Sequence, residues 1–282
     1  MRSDFARGDR LGCPKKPDRV SSATVSGMTQ QVRYDVDDDI CTITLDAPQR
    51  RNAVDGPMAA ELLAALEQFE ADDALAVAIL HGSGGTFCAG ADLTSVADEA
   101  RRPQVDPDGP GPMGPSRMAL SKPLIAAVSG YAVAGGLELA LLADLRVVEE
   151  DAVFGVFCRR WGVPLIDGGT VRLPRVVGHA RAMDLILTGR PVHADEALQM
   201  GLANRVVPVG ESLTVAHRLA EEIAGFPQLC MRADRASAIA QWDLPLTEAL
   251  RAEGAGGLDA LLAEGVTGAD RFASGEGRHG HF

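Results

Sequence analysis

Twice in this chain an apolar run of strand length ends in a turn of very small residues that opens a helix or helical turn. The first run, Leu75–Leu80, leads into His81-Gly82-Ser83-Gly84-Gly85-Thr86-Phe87-Cys88-Ala89-Gly90-Ala91-Asp92-Leu93. The second, Leu124–Val128, passes Ser129-Gly130 and Tyr131–Val133 to reach Gly135-Gly136 and a helix over Leu137–Ala143. Continuous apolar runs of this length are expected where a strand is buried. Two such turns also place backbone N–H groups without intrahelical partners at positions where another molecule can approach the main chain closely.

The remaining pattern is mixed β/α first and helices last. Val32–Val36 and Ile40–Leu45 flank Asp37-Asp38-Asp39 as a hairpin, and Asp55-Gly56-Pro57 opens an amphipathic helix through about Ala71. Leu145–Val148 and Val153–Phe157 read as further strands, and helical patterns follow over Gly178–Leu187, Ala194–Met200, Glu211–Ala224 and Leu246–Leu262. Pro103–Pro115 holds five prolines and three glycines in thirteen residues and is expected to be a mobile surface segment, neither helix nor strand. Residues 1–30 read as a flexible extension, 31–205 as the core and 206–282 as a helical region. The first 27 residues carry six Arg or Lys against three acids and little apolar periodicity.

Composition narrows the function classes. There are 27 Lys and Arg against 39 Asp and Glu, a formal net charge of −12, which argues against a nucleic-acid partner. No run approaches the ~18 apolar residues of a membrane span, and the N-terminus lacks the apolar core of a secretion signal. Five widely spaced cysteines without a CxxC pair fit a reduced chain, so a cytoplasmic location is expected. No GxxxxGK[ST], GxSxG or HExxH occurs, and no paired Cys/His cluster suggests a metal; His279 and His281 form an exposed tail.

From spacing alone, two readings of the small-residue turns stay open. They are ordinary strand-to-helix connections, or two N–H donors facing one oxygen, an oxyanion hole that stabilises charge developing on a carbonyl. The two segments, about 45 residues apart and in this order, resemble the two oxyanion motifs of the enoyl-CoA hydratase/isomerase (crotonase) family. The likeness continues through Lys122-Pro123-Leu124-Ile125-Ala126-Ala127-Val128, Asp167-Gly168-Gly169-Thr170, Leu187-Thr188-Gly189-Arg190 and Gly201-Leu202-Ala203-Asn204, and covers roughly residues 31–270.

The resemblance implies an α/β fold, a spiral of repeated ββα units with a helical C-terminal region that packs between subunits as a homotrimer or homohexamer. It implies an acyl-CoA thioester as substrate and no separate cofactor, coenzyme A being part of the substrate. By position, Ala91 and Gly135 supply the oxyanion hole, and Ala89, Ala91, Asp92, Leu93 and Gly135 contact the substrate or its CoA. Thr94 stands where many relatives carry a lysine. Glu138 matches the first catalytic glutamate, a general base rather than only a residue favoured by the helix dipole.

The second hydratase glutamate is replaced by Cys158, for which packing is the preferred reading. Asp167 is either a second proton-transfer group or the N-cap of the helix at Gly168-Gly169-Thr170. Arg159, Arg160 and Trp161 either border the acyl pocket or, for the two arginines, form a solvated surface. The expected activity is enoyl-CoA hydration. Double-bond isomerisation survives the missing glutamate better, decarboxylation or thioester hydrolysis would use the same scaffold, and a non-catalytic acyl-CoA-binding paralogue is the alternative from outside the enzymes.

Overall fold

Hydrophobic alternation sets the first layer. In β1 (Val32–Asp37) and β2 (Ile40–Leu45), paired antiparallel, Cys41, Ile43 and Leu45 point into the main core while Ile40 faces the other side of the sheet. The hairpin turns at Asp38, whose φ of +49° suits a short polar residue. This chain's structure, a computed structural model, describes residues 30–277. Apart from residue 30, the expected extension over residues 1–30 lies outside the described residues, as do His279 and His281.

α1 (Gly56–Ala71) follows, then β3 (Val77–Gly82), β4 (Leu124–Val128), β5 (Tyr131–Val133), α2 (Gly135–Leu142), β6 (Leu145–Glu149) and β7 (Val153–Gly155). The later elements are α3 (Gly169–Val177), α4 (His179–Thr188), β8 (Val192–His193), α5 (Ala194–Gln199), β9 (Arg205–Val207), α6 (Ser212–Ala224), α7 (Gln228–Ala240), α8 (Leu246–Ala260) and α9 (Val266–Ser274). The strand expected over Val153–Phe157 stops at Gly155, because Phe157–Trp161 wind into a 3₁₀ turn.

The strands form two sheets. The larger runs β1-β2-β3-β4-β6-β9 and is parallel from β2 onward; the smaller runs β5-β7-β8. β4-β5-α2 and β6-β7-α3 thus repeat one ββα turn, each giving one strand to each sheet. The main core lies between the two sheets and under α1 and α2, built on Leu62, Leu66, Phe69, Leu80, Leu137 and Phe154. The opposite face of the large sheet packs Ile79, Ile125 and Val147 against Ala216, Leu219 and Ala220 of α6.

Two buried cations close helix ends. Lys122 Nζ donates to the carbonyls of Phe69 (2.5 Å) and Asp72 (2.8 Å) at the end of α1, and Arg146 donates to that of Ala143 (2.7 Å) just past α2. No helix among the described residues is long and apolar enough to cross a membrane.

Candidate active site

The two small-residue turns meet. Cys88 donates its N–H to the Tyr131 carbonyl (2.9 Å) and accepts from Val133 N–H (3.1 Å), so the loop after β3 runs alongside β5. Glycines make the approach possible: a methyl on Gly136 would strike the Cys88 carbonyl, and one on Gly90 would lie 2.9 Å from the Ala134 methyl and 3.0 Å from Gly135 N.

At the first turn Val54 donates to Gly90 O and accepts from Asp92 N–H, both at 2.8 Å, which uses the residues on either side of Ala91 but not Ala91 itself. At the second, Ala134 sits at φ +54°, a strained conformation for a residue with a Cβ, and its N–H donates to Gly155 O (2.8 Å). That strain aims Gly135 as the first residue of α2, where an N–H has no intrahelical acceptor. Among the described residues neither Ala91 N–H nor Gly135 N–H has a hydrogen-bond acceptor, and both residues line one cavity of about 840 Å³.

Glu138 opens into the same cavity from the first turn of α2 and is only 2% exposed. Its Oε1 accepts from the N–H groups of Asp167 (2.9 Å) and Gly169 (2.8 Å). Gly169 must lack a side chain, since a Cβ there would be 2.9 Å from that oxygen. Burial pushes the Glu138 carboxyl up to about 7; the Gly169 amide opposes the shift and the Asp167 carboxylate adds to it. The group therefore gains and loses a proton near neutral pH.

Cys158 shares the cavity wall, and its thiol is pushed up by burial and by the Glu138 carboxylate, so it stays protonated there.

Asp167 lines the cavity too, but it is not a helix cap. The N-cap of α3 is Gly168, with no side-chain bond to the helix, and Asp167 Oδ1 instead accepts from Met113 N–H (2.9 Å) and Ser116 Oγ. Burial raises its carboxyl above the usual range, opposed by Ser116 and Met113. Arg172 donates to the Asp167 carbonyl (3.2 Å), placing a half-buried guanidinium behind both carboxylates. Ser116, Met113 and Arg172 carry no motif; only their partners some fifty or fewer residues away give them meaning.

The residues expected to meet CoA, Ala89, Ala91, Asp92, Leu93 and Gly135, all line the cavity. The Ala89 N–H is taken by Arg51 O (3.0 Å). Asp92 Oδ1 accepts from Thr94 N–H and Oγ1, and its Oδ2 pairs with Arg101 (3.0 Å). Arg101 and Arg50 converge in turn on buried Asp55 at 3.1 and 2.9 Å, so this ion cluster binds the first turn to the start of α1. The arginines expected at the acyl pocket turn elsewhere: Arg159 Nε donates to Ile186 O (3.0 Å) and Arg160 packs on the Phe157 ring, leaving Trp161 alone of the three at the cavity.

The family model for enoyl-CoA hydratase/isomerase matches residues 35–257. This chain belongs to that family. It is 37% identical over 229 residues to the enoyl-CoA hydratase EchA19 of Mycobacterium tuberculosis, covering 79% of this chain and 85% of the relative. It is also 37% identical over 208 residues to the carnitinyl-CoA dehydratase of Proteus mirabilis, covering 73% and 79%. The crystal structure of an enoyl-CoA hydratase from M. tuberculosis H37Rv superposes with a TM-score of 0.81 at 35% identity, covering 86% of this chain and 96% of that one. The fold is thus the family's crotonase spiral with a C-terminal helical region, and the two turns, α2 and the 153–169 stretch all fall within the matched span.

Proposed function

We propose that this enoyl-CoA hydratase/isomerase family member adds water to the double bond of an enoyl-CoA thioester. The observation that carries this reading is one buried carboxylate, Glu138, opening into the same cavity as two N–H groups without acceptors, Ala91 and Gly135. The thioester carbonyl oxygen accepts from both N–H groups. As Glu138 removes a proton from water, the hydroxyl oxygen bonds to C3 and the C2=C3 electrons move onto the thioester as an enolate. Glu138 then delivers that proton to C2, and the carbonyl re-forms. Each donor aimed at the developing oxyanion is worth ~3 kcal/mol or more of barrier. The uncommitted Oδ2 of Asp167 is a second carboxylate oxygen for proton transfer, and Ala89, Ala91, Asp92 and Leu93 border the bound CoA.

Double-bond isomerisation is the second reading. It is favoured by Cys158, a protonated thiol where the hydratases have a second glutamate, because moving a double bond needs only one base. A non-catalytic acyl-CoA-binding chain is the third. The exposed apolar face of α7–α9 supports a homotrimer or homohexamer.

The test is loss of the enone-thioester absorbance of crotonyl-CoA with wild type and Glu138→Gln side by side. Wild type should consume the substrate and the variant should be slower by ~10²–10⁴-fold. No loss with either overturns hydration of short enoyl groups. Turnover of a 3-enoyl-CoA would then establish isomerisation, and tight acyl-CoA binding without turnover of either substrate would establish the third reading.

A further inference from the structure

The Pro/Gly-rich segment carries no helix or strand before the short 3₁₀ turn Pro115–Arg117, yet it is closely tied. Arg117 Nη1 donates to the carbonyls of Asp106 (2.5 Å), Pro107 (3.0 Å) and Gly109 (3.1 Å), and its Nη2 reaches across to Ile166 O (3.1 Å). Met113 and Ser116 are fully buried, and Gly114 (φ +86°) lies so close to α1 that a Cβ would strike Ala59 O. Gly111, at φ +112°, is equally constrained: a Cβ there would collide with Ser116 Oγ and lie 2.9 Å from Asp167 Oδ1.

One carboxylate oxygen collects the far end of this segment. Asp167 Oδ1 accepts from both Met113 N–H and Ser116 Oγ, while the Asp167 N–H goes to Glu138. Met113, so held, lays its thioether on the second turn: a Cβ on Gly135 would be 2.6 Å from its Sδ. Pro103, Val105, Pro112 and Met113 all line the cavity.

We propose that Asp167 is a latch that holds the 110–117 segment closed beside Gly135 and Glu138, and that Met113, fixed by this latch, limits the length of the acyl group the cavity admits. The length limit rests on reading the cavity as an acyl-CoA site; the latch does not. Asp167 acts here as a positioning residue through Oδ1, whatever its Oδ2 does for the substrate.

Two measurements test this on the full chain. The first is limited trypsin cleavage after Arg117 in the ligand-free protein. Opening the latch exposes that bond, so Asp167→Ala should be cut roughly tenfold faster than wild type. Asp167→Asn, whose amide oxygen still accepts both donors, should stay near wild type. Ser116→Ala, which removes one donor, guards against a misfolded Asp167→Ala and should fall between. Equal cleavage of wild type, Asp167→Ala and Ser116→Ala overturns the latch.

The second is calorimetric binding of saturated butyryl-CoA and octanoyl-CoA, which the enzyme does not turn over. Relative to wild type, the preference for octanoyl over butyryl should rise roughly tenfold in Asp167→Ala and Met113→Ala and stay unchanged in Asp167→Asn. An unmoved preference in both overturns the length limit. Failure of wild type to bind either thioester overturns the acyl-CoA reading and the length limit with it, and leaves the latch to be decided by trypsin.

Discussion

Glu138 carries the clearest residue-scale prediction. A carboxyl raised to about 7 is ionised only above that pH, and a base must be ionised to take a proton. kcat/KM for crotonyl-CoA should therefore be level at alkaline pH and fall about tenfold per unit as pH drops below about 7. A profile that stays flat down to pH 5 would remove Glu138 as the base. At this scale the sequence was legible where chemistry comes with a local signature. Ala91, Gly135 and Glu138 sit among small residues that a close backbone approach requires. Ser116 and Arg172 have no such signature, since each is defined by its contact to Asp167, 51 residues away for Ser116 and across the α3 start for Arg172. The sequence leaves Asp167 open between a cap and a proton-transfer group; it does not cap α3, and its Oδ1 reaches back to the segment before β4.

Among the elements, α1 shows how one end anchors a site. Asp55 caps it by accepting from Met58 N–H (3.1 Å) and also receives Arg50 and Arg101, which tie it to Asp92 of the first turn. Asp55→Ala removes the cap and one of the two carboxylates that Arg50 and Arg101 share with Asp92, so it should cost about 2 kcal/mol in chemical denaturation. Burial alone would raise the Asp55 carboxyl, but the Met58 amide and the two arginines outweigh it and hold it below the usual range. This stabilisation is present above the ordinary carboxylate pKa of about 3.9 and is lost as pH falls through the lower folded value. The difference between wild type and Asp55→Ala should therefore persist at pH 5 and shrink only below about pH 4.

Periodicity and turn chemistry made β1, β2, β4, β5 and α1 readable to within about a residue. β8 and β9, two and three residues long, exist by pairing with β7 and β6, which no local window records. α7 falls outside the helical patterns read from the sequence, and it buries none of its residues within the chain.

For the whole molecule, the C-terminal helices set the main expectation. Between Gln228 and Ser274, ten large apolar residues are more than half exposed, among them Leu246 (75%), Leu262 (67%) and Phe272 (61%). Isolated exposed leucines are normal, whereas a run of this extent is what a subunit interface would cover, which makes oligomerisation a prediction to test. Light scattering should give a multiple of the 29.6 kDa chain, and Leu262→Glu with Phe272→Glu should shift it toward the monomer. A wild type that runs as a monomer at micromolar concentration would refute the interface.

The division into a mixed front and a helical rear was visible in the order of patterns, whereas the two-sheet arrangement was not, since it depends on which strands pair. That order also has a temporal side. Every segment that builds the cavity's chemistry, from Arg50 to Arg172, leaves the ribosome before the first of the apolar helices at Gln228. At about 5–20 residues per second the lag is several seconds, long compared with the folding time of most domains. The half that holds the cavity can close on itself first, and the exposed apolar surface enters solution only afterwards.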